Sequence, residues 1–165
     1  MTVSQVVFIL LSIAALGGAL GVVFARNLFR AALALVLSFV GVAGFYVLLE
    51  AEFLAMVQIL VYVGAIAILI IFAIMLSRRM MSSETQPWNE QWVGAVVVAA
   101  ALFAALVFIL SRVDWPATEA QVPADSISQL GQALVSPDFY VLPFEVASVL
   151  LLVALVGAVI IAREQ

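Results

Sequence analysis

The sequence predicts an all-α membrane protein with five transmembrane helices. Of its 165 residues, 67% are apolar and only 10% are charged, and the mean hydropathy is +1.32, whereas a soluble domain carries about 25% charged residues. The charged side chains fall in short stretches between long uncharged runs. We therefore expect a single transmembrane domain over residues 1–165.

Five runs of the chain are long enough to cross a bilayer, which requires about 20 apolar residues in a helix. Four are evident from their length, at residues 3–25, 31–49, 53–77 and 91–111. The fifth is placed at 142–162, because Pro143 fits the first turn of a helix, where its missing N–H is not needed. Glu145 then lies near the positive end of the helix dipole.

The arginines predict the orientation of the spans. One side of the membrane receives every arginine but Arg112, namely Arg26, Arg30, Arg78, Arg79 and Arg163. The positive-inside rule places that side in the cytoplasm or its equivalent, with the N-terminus outside and the C-terminus on the cytoplasmic side. Trp88, Trp92 and Trp115 flank the fourth span, where amphipathic rings anchor at the headgroups.

The segment 112–138 is predicted to be a loop on the outer side, because prolines interrupt it. Within it Asp125 or Ser126 can cap a short helix, and Ile127, Leu130 and Leu134 give that helix one apolar face. We expect this helix to lie along the membrane surface.

The composition excludes several kinds of chemistry. The chain has no cysteine and no histidine, so it lacks the usual ligands of zinc, iron–sulfur clusters and haem. We predict no metal and no cofactor bound by this chain, and no catalysis by the chain alone. The charge distribution reports topology rather than a nucleic-acid partner, and the lipid bilayer is the expected surrounding.

Small residues recur at helical spacing in the first two spans. Gly17 and Gly21 are separated by one turn, and Gly41 lies close to Gly44. Small residues let helix backbones approach closely in a membrane. We predict that these four glycines serve helix packing.

The third span carries the most informative side chains. Gln58 and Tyr62 are four residues apart and share one face of an otherwise apolar helix. Gly64, with the β-branched Val61 and Val63 before it, weakens helix propensity beside this polar pair. A one-turn π-bulge is therefore favoured here. Two interpretations stay open: an interhelix hydrogen bond with a packing glycine, or a helix that switches between two states.

The carboxylates differ in their placement along the chain. Glu50 and Glu52 lie in the tight turn between spans 2 and 3, which suits solvated residues. Glu145 lies within the first turns of span 5, and an ionisable group there is unusual unless it is paired or faces water. It is either an interfacial acid stabilised by the helix dipole or a group in a proton path or a subunit contact.

Two blocks of sequence form a recognisable pattern. The first block is AEFLA at 51–55, QILVYVGAI at 58–66 and FAIML at 72–76. The second is LPFEVASVLLL at 142–152 with VGA at 156–158. These blocks resemble the third and last helices of the complex I subunit called J in bacteria, G in chloroplasts and cyanobacteria, and subunit six in mitochondria, and Arg26-Asn27 is similar to the family's first cytoplasmic turn. Together these matches cover nearly the whole chain in order.

This resemblance implies a membrane-arm subunit of a proton-pumping quinone oxidoreductase, which holds no cofactor itself. In the family, the third helix passes between an α-helix and a π-bulge around the positions matching Tyr62, Val63, Gly64 and Ala65, and so makes or breaks a water wire. Some family members carry a glutamate where this chain has Gln58. We therefore assign Gln58 to hydrogen bonding or water organisation.

The resemblance also implies partners. They are the quinone-site subunit, the small three-helix subunits and the antiporter-like subunits, and quinone, NAD, FMN and Fe–S clusters are expected in partner subunits. The expected location is the bacterial plasma membrane, with the thylakoid membrane as the alternative. The alternative function is a subunit of a related cation/proton antiporter or membrane-bound hydrogenase complex.

Overall fold

The computed structural model describes residues 2–77, 91–114, 123 and 125–163, and within them the chain is helical, with no strand. It forms two compact units, residues 1–118 and 119–165. The helices are α1 (Val3–Phe24), α2 (Leu28–Leu48), α3 (Glu52–Leu76) and α4 (Trp92–Arg112) in the first unit, and α5 (Ser126–Val135) and α6 (Val141–Ala162) in the second.

Every helix in the described part of the chain except α5 is long and apolar enough to cross a membrane, which gives five spans. The prediction of an all-α protein with five transmembrane helices is thereby confirmed. Their apolar side chains face outward and few residues are buried, as expected of helices whose solvent is lipid. The chain is an integral membrane protein.

Side chains cap the first two helices. At α1 the Gln5 N–H donates to Thr2 Oγ1 (3.4 Å) while the Thr2 N–H donates to Gln5 Oε1 (3.0 Å), a reciprocal capping box. At α2 the Asn27 side-chain oxygen accepts from the N–H groups of Phe29 and Arg30. Because Asn27 satisfies these donors, α2 begins at Leu28 rather than at residue 31, and Arg30 lies in its first turn.

A Schellman-type turn joins α2 to α3. The Ala51 N–H donates to the Tyr46 carbonyl (2.9 Å) and the Glu50 N–H to the Val47 carbonyl (3.0 Å). This turn places Glu50 in the left-handed region, with φ of 55°, where glycine is the usual residue. Glu50 and Glu52 are both exposed, as expected for residues of a solvated turn.

Close backbone approach holds α1 against α2. A Cβ at Gly18 would lie 2.6 Å from the Ser38 nitrogen, and one at Gly41 would lie 2.7 Å from the Ala15 nitrogen. Both distances are far shorter than real Cβ contacts, so only glycine fits. The Ser38 hydroxyl also donates to the Ala15 carbonyl across the contact (3.0 Å). This part of the first unit is its most tightly packed region.

The other glycines selected from the sequence differ in their surroundings. A Cβ at Gly21 would meet Ala34 Cβ at 3.0 Å, and one at Gly44 would meet the Leu11 side chain. A Cβ at Gly17 would meet nothing within 4 Å. On α1, the glycine that approaches the α2 backbone most closely is therefore Gly18 and not its neighbour Gly17.

α4 and α5 follow α3 along the chain. No residue of α4 is buried, and its Arg112 guanidinium lies 4.9 Å from the centre of the Phe108 ring. The helix predicted in the 112–138 loop is α5, with Asp125 at the N-cap position but without a capping hydrogen bond from its side chain. Arg78, Arg79, Trp88 and Trp115 lie outside the described residues.

Candidate functional site

The third span changes its helical hydrogen bonding partway along its length. α3 is α-helical over Glu52–Val57, π-helical over Gln58–Ala67 and α-helical again over Ile68–Leu76. We call Gln58–Ala67 the π segment. Val57 before the π segment and Ile68 after it both have right-handed helical dihedrals, so the helix is continuous. A π-helix of this length is rare, since most are single-turn insertions.

The π segment covers the positions around Gly64 where the sequence predicts weakened α-helix propensity. Its β-branched side chains do not account for its length, because the α-helical stretch Ile68–Leu76 that follows is equally rich in them. The altered hydrogen bonding extends beyond the one-turn bulge that the sequence predicted around Tyr62.

Gly64 favours π-type hydrogen bonding for a separate reason. A Cβ at this position would lie 3.3 Å from the carbonyl oxygen of Ile59, five residues earlier. Five residues is the spacing of a π-helical hydrogen bond. A side chain at this position would therefore crowd the carbonyl group that the π-helix brings close.

Gln58 begins the π segment and faces α2. Its side chain is 7% exposed, the one buried polar side chain in the described part of the chain. Its Nε2 donates to the Phe39 carbonyl oxygen at 3.5 Å, a long hydrogen bond. Ala55 and Ala67, also buried, bracket Gln58 on α3. A buried amide needs such a partner, because an unsatisfied one costs about 1–3 kcal/mol.

Tyr62 contacts the same residue of α2 through its ring. The centres of the Tyr62 and Phe39 rings are 5.5 Å apart with an interplanar angle of 73°, an edge-to-face arrangement. The Tyr62 side chain is 42% exposed, so one side of the ring stays open. The structure thus brings Gln58 and Tyr62 together on Phe39.

The other candidates of the third span lie around this pair. Val63 is half-buried, whereas Gly64 and Ala65 are exposed. They present a surface of small side chains next to Tyr62. In a membrane such a surface suits close contact with another helix.

Sequence reasoning missed two residues of α2 that complete the site. Phe39 contributes a main-chain carbonyl and a ring, and neither marks it out within an apolar span. Ser38 had a visible signal, since it is a hydroxyl within a largely apolar run. Its hydrogen bond to Ala15 ties this turn of α2 to α1, directly beside the contact with the π segment.

Glu145 lies in the second unit. It occupies the first turns of α6, which begins at Val141, and its side chain is exposed. α6 has no buried residue, and Ser148 one turn further on donates its hydroxyl to the Phe144 carbonyl (3.0 Å). Glu145 is the acidic group within an otherwise apolar span.

The chemistry of these groups is hydrogen bonding. The polar atoms of the α2–α3 site belong to an amide, a phenol and main-chain carbonyls, which exchange hydrogen bonds and order water. Across the described residues no group of three or more Asp, Glu, His or Cys side chains could hold a metal ion.

Five membrane-spanning helices with a π segment in the third define the class: a multi-pass membrane protein with a polar, hydrogen-bonded site between its second and third spans. The sequence profile of NADH-ubiquinone/plastoquinone oxidoreductase chain 6 matches residues 18–161, and the chain belongs to this family. The family resemblance stated from the two sequence blocks is confirmed. The chain is therefore a membrane subunit of the complex I type.

Named relatives agree with this assignment. The chain is 38% identical to NAD(P)H-quinone oxidoreductase chain 6 of Leptolyngbya boryana, over 99% of this chain and 81% of the relative. It is 40% identical to the protein of the same name from a Nostoc species, over 99% and 81%. It is 37% identical to F(420)H(2) dehydrogenase subunit J of Methanosarcina mazei, over 96% and 90%.

Proposed function

We propose that this chain is a membrane-arm subunit of a proton-translocating quinone oxidoreductase and that its π segment helps couple quinone reduction to proton pumping. The observation that carries the proposal is that Gln58 and Tyr62, both in the π segment, contact Phe39 of α2. Family membership supports the membrane-arm assignment, since two of the relatives are named as quinone oxidoreductase chains.

The coupling element is a helix with two hydrogen-bonding registers. Conversion of the π segment to an α-helix moves the following residues by one register, a rotation of about 100° per residue. Tyr62, Val63, Gly64 and Ala65 then turn relative to α2, and a water wire beside them forms or breaks. Quinone reduction elsewhere acts by favouring one state, which is the physical requirement for coupling between distant sites.

Glu145 is proposed as a second polar group of the proton path. Ionisable residues within transmembrane segments are costly and are kept for such roles. The substitution Glu145→Gln is expected to lower coupled turnover or the yield of assembled complex. An unchanged pH–rate profile together with an unchanged yield would return Glu145 to the role of an interfacial acid.

The membrane-arm assignment also implies the partner subunits and the orientation in the membrane. The partners are the quinone-site subunit, the small three-helix subunits and the antiporter-like subunits, and they hold the quinone, NAD, FMN and Fe–S clusters. The N-terminus lies outside and the C-terminus on the cytoplasmic side of a bacterial plasma membrane, as the arginines favour. The relatives are named for different electron donors, NAD(P)H and F(420)H(2). The choice of electron donor is therefore assigned to the soluble subunits.

The partners are tested by purification in mild detergent and mass spectrometry. Co-purification of a quinone-site subunit and Fe–S subunits supports the proposal. Recovery with antiporter subunits alone would favour the alternative of a cation/proton antiporter complex, and recovery without any partner would contradict both.

The coupling role is tested by the substitution Gly64→Leu. The added side chain crowds the Ile59 carbonyl in the π register, and leucine is a better α-helix former than glycine, which is about 0.8–1.0 kcal/mol less favourable than alanine. Both effects favour the α state. We expect an assembled complex whose quinone reduction and proton pumping in liposomes are slowed together.

Gly94→Leu in α4 is the matched control, because a Cβ at Gly94 meets nothing within 4 Å. It introduces the same side chain at an exposed helical glycine away from the π segment. Normal quinone reduction and normal pumping in the Gly64→Leu complex would overturn the coupling role.

A further inference from the structure

Phe39 of α2 contacts both members of the polar pair on α3, Gln58 and Tyr62. Its carbonyl oxygen accepts from Gln58 at 3.5 Å, and its ring lies edge-on to the Tyr62 ring at 5.5 Å. One residue thus makes two contacts of different kinds, one through the main chain and one through the side chain.

The contact with Gln58 belongs to the fixed end of α3. Gln58 is the first residue of the π segment, directly after the α-helical turns that contain the buried Ala55. Its acceptor is a main-chain oxygen of α2, one residue from Ser38, which is bonded to α1. A change of register further along the π segment leaves this contact in place.

The contact with Tyr62 belongs to the part that moves. Tyr62 lies inside the π segment, so a change to α-helical register turns it relative to Gln58. Its ring contact with Phe39 exists in the π register seen here and is lost or altered in the other. The edge-to-face contact therefore contributes to the energy difference between the two states.

We propose that the Phe39 ring is a latch that holds α3 in the π state through Tyr62, which makes Phe39 a positioning residue for the coupling helix. This inference rests on the proposed function, because it requires a second state of α3. It adds a residue of α2 to the machinery of the switch and assigns its ring, rather than its carbonyl, to the control of the equilibrium.

The test removes the ring and keeps the carbonyl. In the intact complex with Phe39→Leu, the Gln58 bond remains while the ring contact is lost. Aromatic pairs of this kind shift an equilibrium by roughly two- to thirteenfold. We expect the ratio of α to π particles, classified by electron cryo-microscopy during turnover, to rise by about that factor. Phe39→Tyr, which keeps the ring, is expected to restore the wild-type ratio.

Phe45→Leu is the matched control on the same helix. Phe45 makes an edge-to-face contact with Phe8 of α1, with ring centres 5.4 Å apart and an interplanar angle of 61°. The Phe45→Leu variant loses an equivalent aromatic pair that does not involve the π segment. Its ratio of α to π particles should therefore match that of the wild type. If Phe39→Leu does not assemble, Tyr62→Leu removes the same contact from the other side and must give the same shift.

The outcomes separate the two proposals. A wild type that populates both states, with Phe39→Leu or Tyr62→Leu no different from Phe45→Leu, would overturn the latch and leave the proposed function standing. A wild type that stays in the π state throughout turnover would overturn the switching helix, and the latch with it.

Discussion

The α1–α2 contact and the π segment use glycine in opposite ways. At Gly18 and Gly41 the backbone of the neighbouring helix occupies the space of a Cβ, with distances of 2.6 and 2.7 Å. At Gly64 the neighbouring atom is a carbonyl of the same helix, at 3.3 Å, and the residue is exposed. The first pair fixes two helices together, whereas Gly64 permits one helix to adopt an unusual register.

This difference explains why a π segment persists beside a close-packed pair of helices. α2 is hydrogen-bonded to α1 through Ser38, and the next residue, Phe39, contacts α3. Because α1 and α2 are held tightly together, the π segment packs against a fixed surface of α2. A rotation of α3 against this surface therefore has two defined end states, the π register and the α register. Interfaces with discrete packing are what turn a small local change into a two-state movement.

The largest effect is expected at the close-packed contact. Gly18→Ala places a Cβ against the Ser38 main chain, which cannot move aside, and overpacking of this kind costs about 1–3 kcal/mol. Gly17→Ala is the matched control, since a Cβ there meets nothing within 4 Å. We expect a lower yield and lower melting temperature of the complex for Gly18→Ala only. Equal stability of the two variants would show that α1 and α2 are not this close.

A smaller effect is expected at the buried amide. Gln58→Leu removes the donor to the Phe39 carbonyl, whose α-helical hydrogen bond within α2 remains, so assembly should be preserved. A hydrogen bond of this kind contributes about 0.5–1.5 kcal/mol, and its loss frees the fixed end of the π segment. We expect fewer protons pumped per quinone reduced, measured in liposomes. Full pumping stoichiometry in this variant would remove Gln58 from the coupling site.

The smallest effect is expected in the turn between the two regions. Glu50 has a left-handed conformation that costs an L-residue about 1–2 kcal/mol, and glycine avoids this cost while losing more chain entropy on folding. Glu50→Gly should therefore leave the melting temperature of the complex unchanged or slightly raised, with normal turnover. A clear loss of activity would instead assign the Glu50 carboxylate a role beyond the turn.

The sequence predicted the five spans because lipid imposes a length and composition on each helix. The helix-weakening residues around Gly64 likewise predicted where α3 departs from α-helical bonding. The sequence did not predict the partner of Gln58, since a main-chain carbonyl such as that of Phe39 is present at every position. It also pointed to Gly17 where the close approach involves Gly18, because spacing alone does not tell which side of α1 faces α2.

The proposed coupling requires that α3 has two registers whose balance depends on quinone reduction. The most direct measurement is electron cryo-microscopy of the intact wild-type complex at rest, during turnover, and during turnover with a quinone-site inhibitor. We expect the π segment with Tyr62 in contact with Phe39 at rest, a population with α-helical α3 during turnover, and the disappearance of that population with the inhibitor. The same register of α3 under all three conditions would contradict it.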